Sequence, residues 1–299
     1  MIVKKKELSV LIPAFNHVCV KLVRDLLAQL RAEAVDYEII VAEDGSTDLS
    51  AVAENAQIEA WEGCRHLRRK ENVGRASIRN VLAREARLTY LLYIDADMTM
   101  LNDQYIRRYL QSDCDTVIDG GVAIGGDEKA LRGNLRYRYE KAEEANHTAP
   151  MRQLMPYQHL HTANLLIRRD LMLAYPFDER FHRYGYEDVL LGKTLHQQHI
   201  AIAHIDNPLG FCSFEDNPDF VAKTEEGLQT LHEFRDELRG YSRMLTLVGN
   251  IHLGIVRGAI RFWHLLMGGL ERRSLCGSHP NLTVFKLYRL GYFMGINNL

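Results

Sequence analysis

The sequence predicts an α/β fold: an open mixed, mainly parallel sheet flanked by helices, with a C-terminal helical appendage. Short apolar runs at residues 8–15, 37–42 and 90–94 are typical of buried strands. Between the first two runs, apolar residues recur at helical spacing over residues 20–34. Because short apolar strands alternate with helices, we expect a parallel sheet that is covered on both faces.

The rest of the chain continues this pattern less regularly. Helices are expected at residues 49–61, 76–87, 131–145, 189–198 and 220–239, strands at 164–167 and 200–205, and a strand with a Gly-rich turn at 115–126. From about residue 240 onward the sequence predicts a separate helical appendage.

The composition is that of an ordinary globular protein. The chain has 299 residues, of which 46% are hydrophobic and 25% charged, so it is long enough to bury one extensive core. Its five cysteines are scattered and odd in number, which favours a reducing compartment over a disulfide framework or a zinc site. No run of about 18 apolar residues occurs, so we expect a cytoplasmic protein without a membrane span.

The charge distribution is uneven although the formal net charge is only -2. From residue 240 onward, seven Lys or Arg face a single acidic residue, so a basic tail follows an acidic body. Over residues 244–270 the tail is largely apolar, with Arg257, Arg261 and His264 on one side and Phe262 beside Trp263. The tail would either pack against the body or insert shallowly at the inner leaflet of a membrane.

Polar residues follow three predicted strands at the point where each strand ends, at residues 13–16, 43–48 and 95–97. Ligands of open parallel sheets bind beyond the carboxyl ends of the strands, so we expect the functional site at this edge. Asp95 and Asp97 form a carboxylate pair there. Such a pair would repel a nucleotide diphosphate unless a divalent cation lies between them; a solvated turn is the structural alternative.

Two further segments offer candidate ligands for a nucleotide. Asp44 lies at the tip of the second strand, where its carboxylate is able to accept a hydrogen bond from a nucleobase ring N–H. The residues that follow it, 46–48, are explained equally well as a helix cap. Residues 72–75 form a turn, and Arg79 lies one helical turn later, where its guanidinium would brace either a diphosphate or a carboxylate.

Glu187 and Asp188 precede an amphipathic helix. Both acids would stabilise the positively polarised N-terminus of that helix. A carboxylate at this position would equally serve as a general base that takes the proton from an acceptor hydroxyl. Spacing alone leaves both interpretations open.

Taken together, these segments resemble family 2 glycosyltransferases of the GT-A fold. Five motifs occur in the order of that family: LSVLIPAFN (8–16), EDGSTD (43–48), ENVGRASIRN (71–80), YIDADM (93–98) and GYEDVLLGKTL (185–195). The resemblance implies an inverting transfer of a sugar from a nucleotide-diphosphate sugar to an acceptor hydroxyl. It further implies Mn²⁺ or Mg²⁺ as cofactor and a role in bacterial-type surface polysaccharide or glycolipid assembly.

The same resemblance implies a set of site residues. The nucleotide sugar would be bound by Pro13, Ala14, Phe15, Asn16, Glu43, Asp44, Asn72, Gly74, Arg79, Asp95 and Ala96. Asp97 and Asp95 are the implied metal ligands. Asp188, with Glu187 beside it, is the implied catalytic base.

We also expect two domains. Residues 1–239 would form the catalytic GT-A domain, with a nucleotide-sugar half at about 1–115 and an acceptor half at about 116–239. Residues 240–299 would form the basic amphipathic helical tail. The expected partners are a nucleotide-sugar donor, a saccharide or lipid-linked saccharide acceptor and, through the tail, the inner face of the cell membrane.

The sequence departs from the family at one position that concerns the metal. Phe211 stands where related sequences commonly carry a His, a third potential metal contact, after Asn-Pro. His204 is the alternative nitrogen ligand nearby, since a neutral imidazole binds manganese. His159 and His161 are expected to alternate on one face of a strand, and packing or surface roles are the simpler interpretation for all three histidines.

Four rival functions differ in what they require. A catalytically weak sugar-nucleotide-binding subunit that docks a partner enzyme at the membrane would explain Phe211. A nucleotidyltransferase also uses paired acids and a metal, but it needs a Gly-rich basic loop after the first strand, where residues 13–16 read Pro-Ala-Phe-Asn. Dehydrogenase and nucleic-acid functions are disfavoured, because that strand is not followed by G-x-G-x-x-G and the basic excess lies in an apolar tail.

Overall fold

A seven-stranded sheet forms the centre of the computed structural model, which describes residues 5–296. The strands along the chain are β1 (Glu7–Ala14), β2 (Asp36–Asp44), β3 (Cys64–Arg69), β4 (Tyr90–Ile94), β5 (Met98–Thr99), β6 (Val117–Asp119), β7 (Val122–Ile124), β8 (Asn164–Arg168), β9 (Ile202–His204) and β10 (Leu209–Phe211). The large sheet has the order β3-β2-β1-β4-β8-β6-β9, and a small sheet has the order β5-β10-β7.

Helices cover both faces of the large sheet and form the C-terminal region. They are α1 (Val20–Ala32), α2 (Leu49–Asn55), α3 (Arg75–Glu85), α4 (Tyr105–Gln111), α5 (Glu128–Leu131), α6 (Leu135–Glu143), α7 (Ala149–Leu154), α8 (Arg169–Ala174), α9 (Glu187–Gln197), α10 (Asn217–Glu233), α11 (Arg243–Gly249), α12 (Gly254–Leu275) and α13 (Leu282–Gly295). Short 3-10 segments occur at Ala56–Ala60 and Glu144–His147.

Strand direction determines where the loops meet. β3, β2, β1 and β4 are parallel, whereas β8 runs antiparallel to both β4 and β6. Pro13 pairs with Ala42 and Leu11 pairs with Tyr93, so β1, β2 and β4 end at the same edge of the sheet. The predicted fold class, a mixed and mainly parallel sheet flanked by helices, is therefore confirmed, as is the meeting of the strand tips.

The alternation of side chains along β1 explains the two-sided core. Val10 and Ile12 face α1 and α4, whereas Leu11 faces the opposite layer, which contains α3, α9 and α10. All three side chains are fully buried. Burying an aliphatic side chain of this size stabilises a fold by roughly 1.5–3 kcal/mol, so each face of the strand fixes one helical layer.

The C-terminal helices share a core with the rest of the chain. Phe285 and Tyr288 of α13 pack with Leu135 of α6 and Phe220 of α10 in one hydrophobic cluster. The predicted C-terminal helical region is confirmed. The outer face of α12 stays apolar and exposed: Ile255 is 88% exposed and Phe262, Trp263, Leu265, Leu266 and Leu270 are each at least 53% exposed.

The structure corrects the predicted basic side of the tail. Arg257 donates to the carbonyl oxygens of Ile251 and Val248, and Arg261 donates to that of Met294. His264 packs against α13, where its ring centroid lies 5.3 Å from that of Tyr288. These basic residues therefore turn towards the protein. None of the helices within residues 5–296 is long and apolar enough to cross a membrane.

Other differences concern local elements. β3 was not predicted because only His66 of this strand is fully buried, so it lacks an apolar run. The strand expected within residues 115–126 is divided into β6 and β7, which belong to different sheets. His159 and His161 do not alternate on a strand, because residues 155–163 form turns and β8 begins at Asn164.

Candidate active site

Asn16 joins the loops that follow β1 and β2. Its side-chain oxygen accepts hydrogen bonds from the backbone N–H groups of Thr47 (2.7 Å) and Asp48 (2.8 Å). Its own backbone N–H donates to the Ser46 hydroxyl. Asn16 has a φ of 52°, a left-handed conformation that Asn adopts more readily than most residues. The two strand tips are therefore fixed to each other.

Asp44 fixes a third loop at the same edge. Its two carboxylate oxygens accept hydrogen bonds from the backbone N–H groups of Val73 (3.0 Å) and Gly74 (3.1 Å). Burial raises the pKa of Asp44, and these two donors act in the opposite direction. A Cβ at Gly45 would lie 2.3 Å from the Asn72 nitrogen, so glycine is required for this close approach.

Glu43 lies beneath this edge rather than on it. The carboxylate is 1% exposed and accepts hydrogen bonds from Ser46 and Asn55, and His66 lies 3.3 Å away. Burial alone would raise its pKa, but these hydrogen bonds outweigh burial and hold the pKa of Glu43 below its usual range. Its oxygens are already engaged in this network, so Glu43 supports the loop from within the fold.

Asp95 belongs to a buried network of charges. Arg79 Nη2 lies 2.7 Å from one of its oxygens, and Arg75 Nη2 lies 3.0 Å from the other. Arg79 Nη1 also contacts Glu187 at 3.1 Å, and Arg79 is only 1% exposed. Of the two predicted roles for Arg79, bracing a carboxylate is the one that this geometry supports. Arg75, the last residue of the predicted turn, is a member of this network that the sequence did not indicate as a site residue.

Asp97 differs from Asp95 because its carboxylate is free. The described residues provide it with neither a hydrogen-bond donor nor an ion-pair partner within 4.0 Å. Burial and, secondarily, the charge of Asp95 raise the pKa of Asp97. A half-buried carboxylate that is not neutralised by the protein favours a cation supplied from outside.

The loop before α9 presents Asp188 to the same region. Gly185 and Tyr186 have φ values of 94° and 70°, and a tyrosine in this left-handed conformation is strained. Asp188 accepts a hydrogen bond from the Val189 N–H at 2.8 Å. Burial and the neighbouring charge of Glu187 raise the pKa of Asp188 to about 6. The two acids thus differ: Glu187 pairs with Arg79, whereas Asp188 has no ion-pair partner within 4.0 Å among the described residues.

One cavity of about 510 Å³ brings the reactive groups together. Asp95, Asp97, Glu187 and Asp188 line it, and Arg75 lies beside them. The remaining wall includes charged side chains that carry no motif in the sequence: Arg136, Glu140, Glu144, Arg152, Lys223 and Arg289. The loops at residues 13–16 and 43–48 lie outside this cavity, at the adjoining strand tips.

His204 is not part of the cavity wall. Its Nε2 atom lies 2.9 Å from the Pro156 carbonyl oxygen, and its Nδ1 atom lies 3.6 Å from Asp119. His161 lines the cavity instead, and its backbone N–H donates to Asp119. Burial opposes protonation of His161, but Asp119 outweighs burial and raises the pKa of that imidazole. His161 therefore lines the cavity that contains Asp97, whereas His204 does not.

The residues present fit a metal that is held jointly with a substrate. Within residues 5–296, no group of three or more His, Cys, Asp or Glu side chains is arranged to hold a metal ion. Asp97 offers a free carboxylate, and Asp95 already carries two arginines. Mg²⁺ commonly binds through one or two carboxylates together with substrate phosphates, and this donor set matches that pattern.

Phe211 supports a cation rather than a metal. It lies in β10, and the guanidinium carbon of Arg136 is 4.3 Å from its ring centroid. A cation over an aromatic face is attracted by the ring quadrupole. Arg136 also forms an ion pair with Glu215. The position at which the resemblance led us to expect a His thus holds a phenylalanine ring that packs against a guanidinium.

Comparison with known proteins gives one family and a set of similar folds. The profile described as glycosyl transferase family 2 matches residues 9–173, more than half of the chain. Comparison with curated protein sequences gives no match.

Two solved structures illustrate the similarity of fold. The first is the mannosyltransferase PcManGT from Pyrobaculum calidifontis in complex with GDP-Man and Mn²⁺, with a TM-score of 0.57, 14% identity, and coverage of 98% of this chain and 86% of that one. The second is glucosyl-3-phosphoglycerate synthase from Mycobacterium tuberculosis in complex with Mg²⁺ and UDP, with a TM-score of 0.51, 17% identity, and coverage of 78% and 79%. At these identities the likeness concerns the fold.

Proposed function

This chain belongs to glycosyl transferase family 2 and has the GT-A fold, and from this premise we propose that it is an inverting, metal-dependent glycosyltransferase. It transfers a sugar from a nucleotide-diphosphate sugar to an acceptor hydroxyl. The observation that carries the proposal is the pair of free carboxylates in one cavity: Asp97, without a protein partner, and Asp188, with a pKa of about 6.

The donor nucleotide is assigned to the loops at the tips of β1 and β2. Pro13 and Ala14 end β1 and lead into Phe15 and Asn16 on the first side, and the Asp44 carboxylate with the turn at Asn72 and Gly74 forms the second side. Phe15 is exposed and Asn16 is fixed by its hydrogen bonds, which supports a preformed surface for a nucleoside. Glu43 and Arg79 support this site from within, through their buried networks.

Mn²⁺ or Mg²⁺ is assigned to Asp97, with Asp95 beside it. When bound, the ion would take up negative charge on the departing diphosphate. Asp95 is oriented for this position by Arg79 and Arg75, so its two oxygens are fixed before any ligand arrives. Both similar structures are complexes with such an ion, Mn²⁺ for the mannosyltransferase and Mg²⁺ for the synthase.

Asp188 is assigned as the general base. Its carboxylate takes the proton from the acceptor hydroxyl, whose oxygen then attacks the anomeric carbon as the bond to the diphosphate breaks. A pKa near 6 is close to that of an efficient base at neutral pH, because the group is still mostly ionised yet more basic than an ordinary aspartate. A single displacement of this kind inverts the anomeric configuration.

Asp97→Ala tests the metal-dependent donor site. We expect it to abolish the Mn²⁺-dependent gain in thermal stability with nucleotide sugars and to weaken donor binding at least ~10-fold, because a metal ligand is lost. The measurement is a thermal-shift screen of nucleotide sugars with and without Mn²⁺, followed by donor hydrolysis assays. Asp103→Ala, which removes an exposed carboxylate from the segment after β5, is the matched control.

The outcomes of this screen separate the candidate functions. Wild-type protein that hydrolyses a nucleotide sugar only with the metal is the expected result. Donor binding without hydrolysis or transfer would favour a sugar-nucleotide-binding subunit instead. If the wild-type protein hydrolyses no nucleotide sugar and Asp97→Ala does not change donor binding, the enzyme hypothesis is refuted.

We further propose that α12 lies against the inner face of the cell membrane, where an acceptor for surface polysaccharide or glycolipid assembly would be attached. The support is the exposed apolar face of this helix, in which Ile255 and Leu265 are 88% and 81% exposed and an aromatic pair, Phe262 and Trp263, lies between them. Trp and apolar side chains on one face suit shallow insertion at a lipid interface. Since the Arg257 and Arg261 side chains donate to backbone carbonyl oxygens of the protein, we expect apolar contact, and not attraction of these arginines to lipid, to contribute most to membrane binding.

Point substitutions test this surface better than deletion, because deletion would also remove Phe285 from the core. Phe262→Ser combined with Leu266→Ser is expected to lower partition onto phosphatidylglycerol vesicles at least ~10-fold, since burying each such side chain contributes roughly 1.5–3 kcal/mol. Leu154→Ser with Leu173→Ser, two exposed leucines elsewhere, is the control. Equal partition of both variants in a co-sedimentation assay would refute the membrane surface.

A further inference from the structure

Arg289 is a cation without a carboxylate partner in the wall of the cavity. It lies on α13 and lines the same cavity as Asp97 and Asp188. Its Nη1 donates to the Tyr139 hydroxyl at 2.9 Å, and its guanidinium carbon lies 5.3 Å and 5.5 Å from the ring centroids of Tyr139 and Phe285. Its Nε is buried without a hydrogen-bond partner, and no carboxylate of residues 5–296 lies within 4.0 Å of it.

The neighbouring charges do not neutralise Arg289. Arg136 and Lys223 both pair with the Glu215 carboxylate, and neither leaves an acid beside Arg289. The carboxylate that interacts electrostatically with Arg289 is Glu140, which forms an ion pair with Arg136 at 3.9 Å. Burial raises the pKa of Glu140. A sheltered guanidinium in this position favours an anion that the protein itself does not supply.

The position of Arg289 associates it with the acceptor rather than with the donor. Its electrostatic neighbours include Tyr186, which directly precedes the Glu187 and Asp188 pair, and its contacts are to α6 and α13. The arginines that face Asp95, at the donor side of the cavity, are Arg75 and Arg79. Arg289 thus interacts with the residue beside the Glu187 and Asp188 pair, whereas Asp95 pairs with other arginines.

We propose that Arg289 binds an anionic group, phosphate or carboxylate, of the acceptor, so that the C-terminal helix α13 completes the acceptor site. A guanidinium matches the geometry of both groups through paired N–H donors. The inference rests on the proposed glycosyltransferase function and specifies its acceptor class. The acceptor then carries both a nucleophilic hydroxyl near Asp188 and an anionic group held by Arg289.

Arg289→Gln tests the proposal with pairs of acceptors that differ in charge. The soluble pairs are a hexose 6-phosphate and a hexuronate, each compared with the neutral hexose. The lipid pair is vesicles of phosphatidylglycerol, whose head group has free hydroxyls, compared with vesicles that contain a neutral monoglycosyl diacylglycerol. Release of nucleoside diphosphate above the rate of acceptor-free donor hydrolysis measures transfer, and the better anionic member identifies whether the anion is soluble or lipid-borne.

We expect wild-type protein to prefer an anionic member of these pairs. Arg289→Gln should lower kcat/KM for that acceptor at least ~10-fold, because charge-assisted hydrogen bonds are lost, and should leave use of the neutral member and donor hydrolysis unchanged. Arg289→Lys keeps the positive charge but lacks the paired N–H donors of a guanidinium. It should therefore retain more of the preference for the anionic acceptor than Arg289→Gln does. Lys286→Gln, which removes an exposed cation from the same helix, is the control.

A binding measurement covers the case in which none of these acceptors is used. With Mn²⁺ and a saturating nucleoside diphosphate at the donor site, inorganic phosphate should bind to wild-type protein and not to Arg289→Gln in isothermal titration. Equal phosphate binding by the two proteins, an equal loss for charged and neutral acceptors, or weaker donor binding in the variant would overturn the role of Arg289. If the wild-type protein hydrolyses no nucleotide sugar, the proposed glycosyltransferase function itself is refuted, independently of Arg289.

Discussion

Asp188→Asn is expected to lower turnover at least ~100-fold, the usual scale for a lost general base. The substitution retains the size of the side chain and an oxygen that accepts from the Val189 N–H, so the loop before α9 should keep its shape. Donor binding should be unchanged because Asp97 and Asp95 are not altered. The measurement is the steady-state rate of sugar transfer, together with donor affinity from a thermal-shift titration.

The pH dependence of the rate provides an independent check on this role. Burial and Glu187 raise the pKa of Asp188 to about 6, and the group acts as a base only when it is ionised. The rate of wild-type protein should therefore fall as the pH drops through about 6, and the residual rate of Asp188→Asn should lack this acidic limb. An acidic limb that is retained in the variant would assign the titration to another group.

Asp170→Asn is the matched control for the alternative that Asp188 only stabilises a helix. Asp170 likewise lies in the first turn of a helix, α8, and it is exposed and paired with Arg168. Removing an acid from the first turn costs about 0.3–1 kcal/mol through the helix dipole in either case. Asp170→Asn should therefore lower stability slightly and leave turnover unchanged. A near-normal rate for Asp188→Asn would remove Asp188 from the role of base.

The strand tips were predictable from the sequence because local patterns specify them. The apolar run of β4 ends at Asp95, and parallel strands bring their carboxyl ends to one edge, so the neighbourhood of residues 13–16, 43–48 and 95–97 follows from the strand directions alone. Asn16, a residue type that turns favour, joins two of these loops, although its partners lie 31 and 32 positions along the chain.

The acceptor side of the cavity was not predictable, because it is built from residues that are far apart along the chain. Arg289 meets Tyr139 across 150 positions, and no periodic pattern or motif connects them. Glu187 and Asp188 differ because Arg79 forms an ion pair with Glu187. Which of the two carboxylates Arg79 contacts depends on how α3 and α9 pack, and the sequence does not specify this. The inward direction of Arg261 likewise depends on a carbonyl oxygen of α13, Met294.

Arg79→Met is expected to destabilise the protein by about 3–5 kcal/mol, the usual consequence of removing one member of a buried ion pair. Methionine retains much of the apolar part of the side chain, so the loss of stability measures the effect of removing the guanidinium charge. After the substitution, Asp95 keeps its ion pair with Arg75 at 3.0 Å. Glu187 keeps only a longer contact with Arg75, at 3.8 Å. Urea denaturation should show a lower midpoint with an unchanged slope.

The control for this substitution is Arg84→Met, on the same helix. Arg84 is exposed and lies 3.5 Å from Glu179, so its loss should cost less than about 1 kcal/mol. The two variants should also differ in their response to pH. Although burial opposes them, Arg79 and Arg75 hold the pKa of Asp95 below its usual range, so the wild-type advantage is present at neutral pH and is lost as the pH falls through that lowered pKa.

Adding Glu187→Gln to Arg79→Met distinguishes charge from packing. If the uncompensated carboxylate causes the loss, the neutral amide should recover part of it, and the double variant should be more stable than Arg79→Met alone. If the loss arises from packing of the long Arg79 side chain against Phe177, the second substitution should recover nothing. In that case Arg79 would stabilise the protein through packing and not through its ion pairs with Asp95 and Glu187. The fixed orientation of Asp95 would then need another cause.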